Sequence, residues 1–444
     1  MLGKPLLMTR SAVLVLLFVG VLLGAAWAQK QSVLYSFCKK TNCVDGAYPS
    51  AGLVFDQEGN TYGTTVNGGA YNSTACYTNF ANGCGVVFKL DPAGKETVLH
   101  SFCAQANCAD GANPYAGLIF DQKGNLYGTT EYGGAYGYGA IFKLTPKGKE
   151  TVLYSFCALG LPCRDGAQPT AGLIFDRKGN LYGTAYYGGT DGQCGFNFTC
   201  GVVFKLDSKG KETVLYSFCA QTYCADGEGP VAGVVFDQKG NLYGTTLGGG
   251  GCGNNGGCGV VFKLTPQGKE TVLYTFCAQS ETCSDGAYPR VPLVLDQRGN
   301  LYGTTWGGGL FGCGGDSGCG VAFELTPEGK ETVLYDFCAL TNCIDGDMPH
   351  AGLIFDQKGN LYGTTENGGA PRGGGSVFRL TPEGKETVLY SLCWDINCAD
   401  GAAPLAGLVF DQKGNLYGTT SSGGVYDECR GQVAGCGVVF KLTP

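Results

Sequence analysis

The chain has 444 residues, of which 77 are glycine and 24 cysteine, and carries a formal charge of -7. So many cysteines exclude a reducing cytosol as the working compartment and point to paired thiols. The acidic balance, with no basic run along the chain, excludes a phosphate-binding surface, so nucleic acid is not an expected partner.

Lys4 and Arg10 precede an apolar stretch from Ala12 to Leu23 and small residues ending in Ala26-Trp27-Ala28. That is the layout of a cleavable secretory signal. Residues 1–28 are read as the signal and 29–444 as a single domain, an uncleaved membrane anchor being the alternative. No cysteine follows the apolar stretch to take a lipid. No later segment is apolar for long enough to cross a bilayer, and Lys441-Leu442-Thr443-Pro444 carries no hydrophobic tail. The mature product is therefore expected without a membrane span, in the periplasm, at the cell surface or outside the cell.

After Gln29 one unit recurs seven times, its aspartate standing at Asp56, Asp121, Asp176, Asp237, Asp296, Asp356 and Asp411. Each copy reads as four short strands: Gly-Leu-Ile-Phe, Asn-Leu-Tyr-Gly-Thr-Thr, Gly-Val-Val-Phe-Lys-Leu and Glu-Thr-Val-Leu-Tyr-Ser-Phe. Helical periodicity is absent. Asp-x-x-Gly-Asn and Thr-Pro-x-Gly-Lys make tight connections, so the strands form an antiparallel meander. The last copy stops after Val438-Val439-Phe440-Lys441-Leu442, and its missing fourth strand stands at the other end as Ser32-Val33-Leu34-Tyr35-Ser36-Phe37. Pairing the two closes a ring. The predicted fold is all-β, a seven-bladed propeller of four-stranded blades, with an open β-solenoid as the alternative.

The repeat Tyr-Ser-Phe, Asp-Gly-x-x-Pro-x-Ala-Gly-Leu, Asp-x-x-Gly-Asn-Leu-Tyr-Gly-Thr-Thr, Gly-Gly, Val-Phe-Lys-Leu-Thr-Pro resembles the GloVer tandem repeat of exported bacterial proteins. The resemblance covers nearly all of residues 31–444, and Asp-x-x-Gly-Asn-Leu-Tyr alone is also similar to the more general NHL-type propeller repeat. The GloVer resemblance implies an extracytoplasmic location, often with a separate C-terminal anchor, and supplies no catalytic residues. This chain departs from that pattern in its richness in cysteine and in lacking such an anchor.

The cysteines fall in two sets. One lies between a fourth strand and the next first strand: Cys38/Cys43, Cys103/Cys108, Cys157/Cys163, Cys219/Cys224, Cys277/Cys283, Cys338/Cys343 and Cys393/Cys398. The other lies between second and third strands: Cys76/Cys84, Cys194/Cys200, Cys252/Cys258, Cys313/Cys319 and Cys429/Cys436. Two copies lack both members of the second set, and cysteines that come and go as couples are most simply bonded to each other. Zinc is the alternative, but a copy with two thiolates and no nearby histidine cannot complete a tetrahedral site. In a meander both cysteine-bearing loops emerge on one face. Long, variable, stapled loops there, against short uniform turns opposite, mark that face as the recognition surface.

Two variable columns carry the candidate functional residues. The position after Thr-Thr holds Val66, Glu131, Tyr186, Leu247, Trp306, Glu366 and Ser421, and the next position includes Tyr132 and Tyr187. Trp306, Tyr132, Tyr186 and Tyr187 offer rings to stack on a sugar or to anchor a protein; covering the disulfide loops is their plainer use. The position after the recurrent proline holds Ser50, Tyr115, Thr170, Val231, Arg290, His350 and Leu405. Arg290 and His350 belong to adjacent copies, so these columns define either a polar site at the channel mouth or a solvated rim. The fifth copy breaks pattern at Val291-Pro292-Leu293 and Leu295.

Asp45, Asp110, Asp165, Asp226, Asp285, Asp345 and Asp400, each before a glycine, read as turn formers, since one carboxylate per loop falls short of the oxygens calcium needs. His100 occupies a strand-four tyrosine position. No nucleophile elbow, zinc-protease helix or dinucleotide fingerprint occurs, and no cofactor is expected. The reading is a binding or scaffold module for an extracellular glycan or protein. A lactonase- or lyase-like enzyme centred on Arg290 and His350 is the alternative.

Overall fold

The computed structural model describes residues 30–74, 76, 82–189, 200–251, 257–277, 282–310, 313, 318–426, 429 and 435–443. The expected signal and its cleavage site lie outside these residues. Seven four-stranded antiparallel sheets make a seven-bladed propeller. Blade 1 consists of Val54–Phe55, Thr61–Thr65, Val86–Leu90 and Glu96–Ser101, and the other blades repeat that order. No helix of the described residues is long and apolar enough to cross a membrane.

Blade 7 takes Val409–Phe410, Leu416–Thr420 and Val438–Thr443 from the end of the chain and Lys30–Ser36 from its beginning. The register pairs Lys30 with Thr443 and Ser36 with Val438. Side chains lock the same seam: Gln31 Nε2 donates to the Asp400 carbonyl at 3.0 Å, and Thr419 Oγ1 donates to the Ala51 carbonyl at 3.1 Å. Closure therefore satisfies a strand edge that would otherwise be left open.

The first connection of each blade explains its sequence. Asp56 Oδ1 accepts the amides of Glu58 and Asn60, and Oδ2 accepts Asn60 Nδ2 at 2.7 Å and the Tyr62 hydroxyl at 2.9 Å. One carboxylate thus ties both turn and second strand, which is why Asp, Asn and Tyr recur at fixed spacing. In blade 5 the third-strand lysine is replaced by Glu324, and the Tyr302 hydroxyl turns to Glu324 Oε1 at 2.8 Å.

Two rings of aromatic contacts hold blade to blade. Phe102, after the last strand of blade 1, meets Phe142 of blade 2 edge-on at 5.0 Å, and five other interfaces repeat the pair; fully buried Leu392 takes the seventh position. Nearer the axis, Tyr62 meets Phe120 at 5.2 Å, with Leu295 in place of the phenylalanine in blade 5. Each such pair is worth about 0.5–1.5 kcal/mol beyond the apolar area it removes from water. The glycine of Leu-Tyr-Gly-Thr leaves room for the phenylalanine of the neighbouring strand: a methyl at Gly63 would stand 2.7 Å from Phe88 Cζ. Threonine adds a polar tie, as Thr64 Oγ1 donates to the Ala116 carbonyl of the next blade at 3.0 Å. Only between blades 4 and 5, among the described residues, is that hydroxyl (Thr245) left buried without a partner, where Val291-Pro292 replaces Ala-Gly.

At the rim, the glutamate that opens the outer strand of blades 1 to 6 lies against the aspartate of the preceding crossover. Burial raises the carboxyls of Glu150, Glu270, Glu331 and Glu386 to about 7 and that of Glu212 to about 8, with Asp165 adding to the effect at Glu212. One oxygen of each is enclosed without a hydrogen-bond partner. Glu96 is instead joined to Lys40 at 2.8 Å.

Two outcomes test this account. Removing residues 30–37 leaves the strand Val438–Thr443 as an edge, so the shortened chain should melt at least about 10 °C lower or associate with a second copy; calorimetry with light scattering reads both. The raised glutamates bind protons more tightly in the folded state, so their stabilisation is complete below the ordinary carboxyl pKa and is lost as pH rises through about 7 to 8. Melting should therefore fall from pH 5 to pH 8.5, and Glu212→Gln should narrow the difference.

Candidate functional site

The loop face is built on disulfides. Among the described residues, ten join the cysteines in the couples expected: Cys38–Cys43, Cys76–Cys84, Cys103–Cys108, Cys157–Cys163, Cys219–Cys224, Cys277–Cys283, Cys313–Cys319, Cys338–Cys343, Cys393–Cys398 and Cys429–Cys436. The other two expected couples, Cys194/Cys200 and Cys252/Cys258, are described at one end only, because Cys194 and Cys252 lie outside the described residues. Cys200 and Cys258 are themselves buried and disulfide-bonded. The crossover loops are also pinned from within. Asp45 Oδ2 accepts the Tyr35 hydroxyl at 2.7 Å and the Lys39 amide, and Oδ1 accepts the Lys40 amide. The turn-forming aspartates thus have the strand-four tyrosine as partner, a link the sequence reading did not make. His100 keeps it by imidazole, with Nε2 3.2 Å from Asp110 Oδ2.

The two variable columns meet at the axis. The amide of the residue after Thr-Thr donates to a carbonyl two residues before the other column, as Trp306 to Tyr288 at 3.2 Å and Glu366 to Met348 at 3.0 Å. Immediately downstream, glycines follow one another round the channel: a methyl at Gly52 would lie 3.4 Å from the Gly407 carbonyl, and one at Gly117 would lie 3.5 Å from that of Gly52. The columns therefore ring the channel mouth on the loop face.

Unlike side chains converge on one side of that mouth. The Arg290 guanidinium lies over the Trp306 ring, 4.4 Å from its centroid. Burial lowers the pKa of Arg290, while Glu366 of blade 6 and Tyr186 of blade 3 oppose the shift. Arg290 of blade 5 thus lies within electrostatic reach of a phenol two blades away. Burial likewise lowers the His350 imidazole, against the pull of Glu366 and with the push of Arg290. Arg290 Nε, His350 Nδ1 and Thr170 Oγ1, all from the post-proline column, are enclosed and have no hydrogen-bond partner. Such groups cost free energy unless something meets them.

Tyr186 and Tyr187 pack ring to ring at 4.4 Å, and Gly229 clears the space for Tyr186, since a methyl there would be 2.8 Å from Cε2. Burial raises Glu131 to about 7, and its charge bears on Tyr187. Two acidic groups escaped the sequence reading. Glu228 lies within electrostatic reach of Tyr186, and Asp347, raised to about 6 by burial with Glu366 adding, lies beside Glu366. Both replace the alanine that follows Asp-Gly in the other five copies, and that interruption was the available signal.

Not every candidate faces the opening. Tyr132 packs against Cys76, Cys84 and Cys108, and Tyr187 against Cys157 and Cys163. Trp306 does both, packing on the hydrophobic cluster that includes Cys313 and Cys319 while its ring carries Arg290. A separate cleft of about 500 Å³ opens at the seam of blades 1 and 7, lined by Asp56, Glu58, Asp91, Asp411, Lys413 and Lys441. Its walls are turn and strand residues of the repeated pattern, so it marks the seam, whereas the mouth is where copies differ.

No curated protein matches the chain. Among solved structures, a luciferin-regenerating enzyme is similar at 11% identity and a TM-score of 0.43, over 94% of this chain and 95% of that one. PorZ, a surface component of the type-IX secretion system of Porphyromonas gingivalis, is similar at 13% identity and a TM-score of 0.43, over 75% of this chain and 42% of that one. The Gloeobacter/Verrucomicrobia repeat matches residues 20–193, 74–315 and 284–444. With seven copies in one ring and the family pattern running through all of them, the chain belongs to the Gloeobacter/Verrucomicrobia repeat family.

Proposed function

We propose that the protein is an exported binding module, residues 29–444 forming one domain after removal of residues 1–28, and that it takes a carbohydrate at the channel mouth of its loop face. The reading is supported above all by the enclosed, unpartnered Arg290 Nε and His350 Nδ1 beside the rings of Trp306 and Tyr186. Donors and acceptors waiting next to aromatic faces match a sugar, which presents hydroxyls at its edge and C–H groups on its face. The sign of the surroundings favours a neutral or amino-bearing sugar over an acidic one, because Glu131, Glu228, Asp347 and Glu366 outnumber Arg290. The disulfides fit an oxidising compartment and hold the loops that carry these residues.

A lactonase- or lyase-like reading draws on the same groups, with Glu366 within electrostatic reach of the His350 imidazole. It differs in outcome. Binding of neutral and amino-sugar oligosaccharides on a glycan array should fall at least about tenfold in Arg290→Ala and in Trp306→Ala, with no product formed. Turnover in a lactone and uronide panel, abolished by His350→Ala, would favour the enzyme instead. Affinity unchanged in both variants would remove the mouth from the proposal.

A further inference from the structure

The two cysteine sets, separate in sequence, meet in space. Cys76 and Cys84, from the second-to-third strand loop of blade 1, lie with Cys103 and Cys108, from the crossover that leaves the same blade, and all four sulfurs are within 4.8 Å of one another. Cys429 and Cys436 of blade 7 meet Cys38 and Cys43 in the same way, and all four of these are buried. Cys258 joins Cys277 and Cys283, and Cys313 joins Cys338 and Cys343, with Cys313 Sγ 3.9 Å from Cys343 Sγ. Where the second set is missing, Cys393–Cys398 forms a hydrophobic cluster of its own with no second couple. Cys157–Cys163 does the same.

Four thiolates round a tetrahedral Zn²⁺ lie about 2.3 Å from the ion and hence about 3.8 Å from each other. The sulfurs of each complete cluster are already that close to within a side-chain adjustment. Each of these clusters draws its sulfurs from two loops, so the shortfall of a copy that lacks the second set does not apply to it.

We infer that each complete cluster is a redox-gated, four-thiolate site for a soft divalent cation such as Zn²⁺. Oxidised, it is two disulfides. Two equivalents of a dithiol reductant give up four electrons and four protons to the two disulfides, forming four thiols and two disulfides of the reductant. The cation then binds the four sulfurs and releases the four protons; oxidation runs the sequence backwards and expels the metal.

The test uses the full mature chain, reduced under nitrogen with a phosphine and titrated with Co²⁺, whose tetrahedral four-thiolate complex has intense visible bands. At least two equivalents are expected, one for each cluster in which four cysteine sulfurs lie together. The double variant Cys76→Ser with Cys84→Ser should lose one equivalent, and Cys157→Ser with Cys163→Ser should lose none. Added Zn²⁺ should bleach the bands, and an oxidant should release the ion to a chelating dye. Equal loss in the two double variants, or none in either, overturns the proposal. So does a reduced chain that is unfolded by circular dichroism and is not refolded by Co²⁺ or Zn²⁺.

Discussion

Ring closure is the constraint on which the molecule depends. Seven blades share one packing surface, and each must turn its neighbour by the same angle or the first and last will not meet. The aromatic pairs enforce that angle: Phe102 on Phe142 at the outer radius and Tyr62 on Phe120 nearer the axis clamp each junction at two points. Gly63 and its equivalents hold the spacing, because a side chain there would drive the phenylalanine outward. The strand Lys30–Ser36 then converts seven matched junctions into a closed object. A chain end has become an internal strand, and the stability of blade 7 is a property of both termini.

Closure also brings the candidate site together. Arg290, His350, Glu366 and Tyr186 come from four separate stretches of chain, and nothing in their local sequence brings them near one another. Only the circular arrangement aims the ends of all innermost strands at one opening. The disulfides act one level down: they fix loops that lack an apolar core, so that the mouth residues stand on stiffened supports. Trp306 links the two levels, packing on the cluster of Cys313 and Cys319 while holding a guanidinium on its face.

Much of this was legible in the sequence, because a repeat states its periodicity openly. Strand order, blade number and the exchange of ends follow from residues that recur at fixed offsets, and the cysteine couples follow from their joint presence or absence. The mouth was legible only as two variable columns. That Arg290 stacks on Trp306 depends on side-chain direction, which spacing does not encode. The tyrosine partner of Asp45 was missed for a related reason: the two recur in nearly every copy, and uniform recurrence reveals no pairing. The meeting of the two cysteine sets was hidden because they lie on different loops, and their neighbourhood is a fact of three dimensions.

Departures from the repeat are not spread evenly. Blade 5 carries Pro292 among the axial glycines, Leu295 for phenylalanine, Glu324 for lysine, and also Arg290 and Trp306; the threonine facing it from blade 4 has lost its partner. The other units are close to interchangeable parts, any one of which supplies the same wedge. This one is not. A molecule built from copies has gathered more of its packing departures in this segment than in any other, and that segment gives a nearly rotationally uniform wheel a front.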